Sequence, residues 1–103
     1  MNFMKETISV LDCYDKNPDD ILFIGTQDGN LSCSWAEFLR LSNFEYDDGF
    51  GGHEINLGLI IRFADGVFYR HEYDGAEGWG FISTSQGETT EKLTTEDIKN
   101  SNW

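Results

Sequence analysis

One segment sets the fold of this chain, and it reads Leu57-Gly58-Leu59-Ile60-Ile61-Arg62-Phe63-Ala64-Asp65-Gly66-Val67-Phe68-Tyr69-Arg70-His71-Glu72-Tyr73. Two runs rich in β-branched and aromatic residues flank a short Ala-Asp-Gly sequence, which is typical of an antiparallel β-hairpin. We predict that Gly66 takes the left-handed conformation after a type I turn and forms a G1 bulge.

Burial decides the register that we expect for this hairpin. The bulged turn pairs large side chains with one another: Phe63 with Val67, Ile61 with Tyr69, Leu59 with His71, and Leu57 with Tyr73. The opposite face then carries Ile60, Arg62, Phe68, Arg70 and Glu72. A two-residue loop that sets Ile61 across from Arg70 and Leu59 across from Glu72 mixes apolar and charged groups on one face, and burial therefore favours the bulged turn.

Further strands are predicted on both sides of the hairpin. The apolar run from Ile21 to Gly25 precedes an Asp28-Gly29 turn signal, and residues 31–33 can return as its partner strand. A second turn over residues 74–78 leads to a strand from Trp79 to Ile82. We expect an antiparallel sheet of four to five strands, built from a hairpin and a meander.

Two helices complete the expected fold. Ser34 and Glu37 form the Ser-x-x-Glu pattern of a capping box, and apolar residues follow at helical spacing, which predicts a helix over about 34–42 packed on one face of the sheet. Near the N-terminus, Met4, Ile8 and Leu11 also recur at helical spacing, although Ile8 and Val10 fit the alternation of a strand as well. The sequence therefore predicts an α+β fold.

The length of 103 residues suits a single domain over 1–103 that buries its own hydrophobic core. The lone proline, Pro18, marks a polar break, and the chain becomes polar from about residue 84, where we expect a frayed tail with one helical turn near 94–98. Cys13 and Cys33 are too few and too far apart for a zinc site, and we expect reduced thiols.

Charge is the strongest indication of function. Nineteen acidic residues oppose seven basic ones, and the formal net charge is −12. Such a chain repels nucleic acid and anionic membranes and is attracted to basic surfaces. Because it also lacks a membrane-length apolar run and an apolar leader at its start, we expect a cytoplasmic protein that binds no nucleic acid directly and no membrane.

Half of the charge imbalance lies between residues 45 and 77, where eight acids and two bases give a local formal charge of −6. If these acids share one surface, they can imitate the phosphates of nucleic acid and occupy an Arg- and Lys-rich groove; a solvated surface that only aids solubility is the alternative. The predicted partner-binding residues are Glu45, Tyr46, Asp47, Asp48, Phe50, Glu54, Asp65, Glu72, Asp74 and Glu77.

Catalytic chemistry has little support in this sequence. The pairs His53-Glu54 and His71-Glu72 lack the spacing of zinc sites, and neighbouring residues of a strand face opposite sides. We expect His71 to pack in the core beside Leu59. No phosphate-binding loop or nucleophile motif is present, so we predict no enzymatic activity, no cofactor and no metal.

Several segments resemble small acidic proteins encoded by bacteriophages and other mobile elements. They are the segment from Ser34 to Leu39, the segment from Tyr46 to Ile55, Ala64-Asp65-Gly66, and the segment from Glu72 to Trp79. Characterised proteins of this type include anti-CRISPR and anti-restriction inhibitors. The resemblance implies a viral protein in the bacterial cytoplasm that blocks a basic host protein or nucleoprotein complex, such as a CRISPR effector or a restriction enzyme.

Two other functions remain open from the sequence. An immunity protein that neutralises a basic nuclease toxin would use the same acidic surface. A small metal-dependent enzyme would use His53, Glu54, Asp47 and Asp48. A homodimer is compatible with the sequence, because an exposed edge strand or Trp103 can self-associate.

Overall fold

The structure is a computed structural model that describes residues 1–47, 54–73, 76–84 and 94–95. Its fold is α+β, with four antiparallel strands in the order β1-β2-β3-β4. The elements in chain order are α1 (Phe3–Cys13), a 3₁₀ turn (Pro18–Asp20), β1 (Phe23–Thr26), α2 (Trp35–Leu41), β2 (Leu59–Phe63), β3 (Gly66–Tyr73) and β4 (Ala76–Ser83).

Both predicted helices form. Ser34 caps α2, and its hydroxyl accepts from the Glu37 amide while the Glu37 carboxylate accepts from the Ser34 amide, so the capping box is confirmed. In α1 the buried stripe is Phe3, Thr7 and Leu11, whereas Ile8 is 43% exposed. Thr7 can be buried because its hydroxyl donates to the Phe3 carbonyl at 2.8 Å.

The predicted first hairpin is reduced to a single bridge. Residue Ser32 pairs with Gly25 only as an isolated bridge, and β1 forms its ladder with β2 instead. The intervening turn does contain Gly29 at a φ of 79°, a conformation that glycine adopts without steric cost. The β2-β3-β4 meander forms as predicted, although β4 begins at Ala76, earlier than the expected Trp79.

The predicted register of β2 with β3 is wrong by one residue. Phe63 pairs with Gly66, and Ile61 pairs with Phe68, so Ala64 and Asp65 alone form the turn. Gly66 lies in the strand without a positive φ. A Cβ atom on Gly66 would lie 2.2 Å from Cζ of Phe81, so the residue is glycine because the Phe81 ring lies over it.

This one-residue difference exchanges the two faces of β3. Phe68 and Arg70 are buried, whereas Val67 and Tyr69 lie on the more accessible face. His71 is exposed on that face opposite Gly78, and our prediction that it packs in the core beside Leu59 is wrong.

The hydrophobic core lies against the buried face of the sheet. Phe3 of α1 stacks on Trp79 of β4 with ring centroids 5.9 Å apart, and Tyr14, just after α1, meets the edge of Phe68. Phe38 of α2 belongs to the same core and contacts Phe3 edge-on at 5.8 Å. The placement of α2 directly on one face of the sheet stays a prediction.

Three smaller predictions concern the thiols, membrane-spanning segments and the C-terminal tail. Cys13 and Cys33 are free thiols. Among the residues that the structure describes, no helix is long and apolar enough to cross a membrane. The predicted polar tail and its helical turn lie largely outside the described residues, as does Trp103.

Candidate functional site

Arg70 is the centre of the candidate site. It lies on the buried face of β3 opposite Trp79 of β4, and its side chain is completely inaccessible to solvent. The guanidinium carbon lies 5.0 Å from the centre of the Phe3 ring and 5.1 Å from that of Trp79, which is the range of cation–π contacts. The aromatic rings of the core therefore surround a cation.

Two carboxylates neutralise this cation and a tyrosine hydroxyl helps to orient it, and together with Arg70 these side chains form what we call the Arg70 cluster: Glu6, Glu77 and Tyr46. Arg70 Nη1 donates to Glu6 Oε2 at 3.0 Å, and Nη2 donates to Glu77 Oε1 and to the Tyr46 hydroxyl, both at 3.2 Å. The Tyr46 hydroxyl donates to Glu6 Oε1. Among the described residues, Arg70 Nε is a buried donor without a hydrogen-bond partner.

Burial and charge act in opposite directions on the two titratable groups at the centre of the Arg70 cluster. Burial lowers the pKa of Arg70, but the hydrogen bond to Tyr46 and the charge of Glu6 outweigh it and leave the pKa above its usual value. Burial, with the hydrogen bond to Glu6, raises the pKa of Tyr46 well above that of an exposed tyrosine. Both groups therefore keep their protons at neutral pH.

Glu77 also holds the backbone at Glu54 and Ile55. Its Oε2 accepts from the amide of Glu54 at 2.6 Å, and its Oε1 accepts from the amide of Ile55 at 3.0 Å. Glu54 in turn accepts from the amide of Asp47 at 2.8 Å. The buried carboxylate of Glu77 thus holds the backbone at Glu54 and Ile55, and the carboxylate of Glu54 holds the amide of Asp47.

Four acidic residues with exposed side chains are next to members of the Arg70 cluster in the chain, in the sheet or through a backbone hydrogen bond, and we call them the acidic rim: Glu45, Asp47, Glu54 and Glu72. Glu45 and Asp47 flank Tyr46 in the chain, Glu54 is bound to Glu77 through its amide, and Glu72 pairs with Glu77 across the strands. The α-amino group of Met1 lies 3.4 Å from Glu45. Four predicted site residues are therefore next to members of one buried cluster.

The remaining predicted site residues are placed differently. Tyr46 and Glu77 are only 7% exposed, so their contacts are with the Arg70 cluster and the backbone. Asp65 is in the β2-β3 turn, at the end of β3 far from Glu72, where it accepts from Lys16 at 2.5 Å. This bond lowers the pKa of Asp65. Asp48, Phe50 and Asp74 lie outside the described residues, as does His53.

Sequence reasoning missed the two residues that organise the site, Glu6 and Arg70. The predicted register places Arg70 on the face opposite to that of Ile61, and the observed register, shifted by one residue, places it on the buried face. Its alternation with Phe68 did indicate a shared face, and a buried arginine requires a buried acid. Glu6 carried no signal, because its pairing with Arg70 spans 64 positions of sequence.

The charged groups of the site differ in their exposure to solvent. Arg70 pairs with the partly buried Glu6 and the buried Glu77, whereas the side chains of the acidic rim are exposed. Within the described ranges, no three His, Cys, Asp or Glu side chains are grouped so that they could hold a metal ion. Comparison of the chain with protein-family models, with curated protein sequences and with solved structures gives no match.

Proposed function

We propose that this chain is an acidic inhibitor that binds and blocks a basic, nucleic-acid-binding surface of another protein through its acidic rim. The observation that carries the proposal is the exposure of Glu45, Asp47, Glu54 and Glu72 at positions next to members of the buried Arg70 cluster. Surface carboxylates held on a rigid base lose little conformational freedom when they pair with arginine or lysine, so more of their interaction energy contributes to affinity.

The net charge of −12 gives the proposal its second support. Long-range attraction speeds association with a basic surface and disfavours nucleic acid as a direct ligand. By the resemblance to phage-encoded acidic proteins, we propose a defence complex of the bacterial host, such as a CRISPR effector or a restriction enzyme, as the partner class. The inhibitor would occupy the groove that otherwise holds DNA or RNA.

A pair of charge-matched variants tests this function. The rim variant carries Glu45→Gln, Asp47→Asn and Glu72→Gln, and the control carries Asp12→Asn, Asp19→Asn and Asp20→Asn, which are exposed residues away from the Arg70 cluster. Each variant changes the formal net charge from −12 to −9, because three carboxylates are neutralised. Only the position of the lost charge differs between them.

The measurement is affinity capture from a bacterial lysate with quantitative mass spectrometry, repeated for the wild type and for both variants. We expect the wild type and the control to retain a DNA- or RNA-handling protein that the rim variant loses by about tenfold or more. Equal retention by the rim variant and the control would show that the acidic rim is not the binding site. Circular dichroism confirms that all three proteins are folded.

A further inference from the structure

An apolar groove borders the acidic rim. Its volume is about 270 Å³, and its lining includes Phe3, Phe38, Leu41, Phe44, Ile55 and Leu59. Glu54 of the acidic rim lines the same groove. The volume lies below the ~300–1,000 Å³ of typical small-molecule sites, and a groove of this size suits apolar side chains of a partner.

Both walls of the groove are held by hydrogen bonds within the protein. On one side, the Phe44 carbonyl accepts from the amide of Phe3 at 3.0 Å, and the Ser42 carbonyl accepts from the amide of Met4 at 2.9 Å. On the other side, the Ile55 amide is bound to Glu77 of the Arg70 cluster. The groove is therefore formed before any partner binds.

Two large apolar side chains at the groove remain exposed. Leu41 is 55% exposed and Phe44 is 43% exposed, whereas Phe3, Phe38 and Ile55 are buried beneath them. Exposed apolar area beside fixed carboxylates complements a partner surface that carries apolar and basic side chains together. Leu41 and Phe44 supply the apolar contact, and Glu54 supplies the charge.

We propose that the groove receives a basic amphipathic segment of the partner. An apolar side chain of that segment enters between Leu41 and Phe44, and neighbouring arginine or lysine residues pair with Glu54 and the rest of the acidic rim. This inference rests on the proposed function and adds the chemistry of the contact: the partner is recognised by apolar groups as well as by charge.

Two synthetic peptides of equal charge provide the test. One is an amphipathic peptide of about 16 residues with leucine and phenylalanine on one helical face and lysine on the other. The second replaces each leucine and phenylalanine with glutamine. We expect the wild type to bind the amphipathic peptide about tenfold or more tightly than the polar one, as measured by fluorescence anisotropy.

A groove variant tests whether the difference in affinity between the two peptides arises at the groove. Leu41→Ser with Phe44→Ser should abolish the preference, whereas the control Leu22→Ser with Leu31→Ser, at residues 64% and 68% exposed elsewhere, should keep it. Phe44 contacts the ring of Phe3, so Leu41→Ser alone serves as a second variant that leaves this contact intact. A preference that survives in both groove variants would overturn the inference.

The alkylation rate of a thiol at the groove reports peptide binding without any substitution of the groove residues. Cys33 is part of its lining, and Cys13→Ser removes the other, exposed thiol. The amphipathic peptide should slow alkylation of Cys33 several-fold, and the polar peptide should not. Equal protection by the two peptides would contradict groove binding.

The outcomes separate the inference from the proposed function. If both peptides bind the wild type equally and the rim variant weakens both, the groove inference fails and the proposed function stands. If neither peptide binds at low salt, both the proposed function and the groove inference fail. Tight binding of the amphipathic peptide alone, lost in the groove variants, supports both.

Discussion

Arg70 is a buried cation in a protein of net charge −12, and the residues around it show how acidic side chains are accommodated in the core. An isolated buried charge is costly, but Arg70 shares its charge between Glu6 and Glu77 while aromatic rings cover its faces. Buried ion pairs add little net stability compared with apolar packing, yet breaking one is expensive. The Arg70 cluster therefore contributes mainly by fixing the positions of α1, Tyr46 and β4 relative to β3.

Replacing Arg70 should test that geometry. Arg70→Met removes the cation and leaves the buried carboxylate of Glu77 and the partly buried one of Glu6 uncompensated, so we expect the free energy of unfolding to fall by about 3–5 kcal/mol. Urea denaturation measures the loss. The control Arg62→Met removes an exposed arginine stacked on Phe23 and should cost less than about 1 kcal/mol. Similar losses in the two variants would argue against a buried ionic centre.

Tyr46 should make stability fall at alkaline pH. Its pKa is raised in the folded protein, first by burial and then by Glu6. A tyrosine in the unfolded chain ionises at about pH 10. The stabilisation by protonated Tyr46 is therefore complete below that pH and is lost as pH rises toward the higher folded-state pKa. The free energy of unfolding should drop more between about pH 8 and pH 11 in the wild type than in Tyr46→Phe. Equal drops would contradict the shift.

At the level of secondary structure, local signals predicted the elements and long-range packing set the register. The capping box of Ser34 and Glu37 specified the start of α2 because both partners lie within one turn. The predicted turn at Gly66 is wrong because this glycine makes room for the ring of Phe81, which is 15 residues away in the sequence. No local pattern contains that contact, and the one-residue slip moved Arg70 to the wrong face.

Gly66 should therefore be sensitive to a single methyl group. Gly66→Ala places a Cβ atom 2.2 Å from Phe81 Cζ, and displacement of the ring should cost about 1–3 kcal/mol of unfolding free energy. Gly78→Ala is the matched control, because its Cβ would lie 3.8 Å from the His71 ring, an ordinary contact distance. We expect that variant to stay within about 0.5 kcal/mol of the wild type in urea denaturation. Comparable losses of unfolding free energy in the two variants would contradict the contact with Phe81 as the reason for glycine at position 66.

For the whole molecule, composition alone predicted an acidic binding surface, and the structure shows which acidic residues are next to members of the Arg70 cluster. They are Glu45, Asp47, Glu54 and Glu72, whereas Asp65 lies at the far end of β3 with Lys16. The sequence could not predict which acids are next to the Arg70 cluster, because their positions depend on strand pairing and on the contact between Glu6 and Arg70. The proposed inhibitor function depends on binding by the acidic rim.

The salt dependence of binding tests that proposal most directly. The dissociation constant of the captured partner is measured over a series of salt concentrations for the wild type, the rim variant and the charge-matched control. We predict that affinity of the wild type and the control falls steeply with salt, and that the rim variant binds more weakly with a shallower slope. If the rim variant and the control give the same affinity and slope, the acidic rim is not the binding surface.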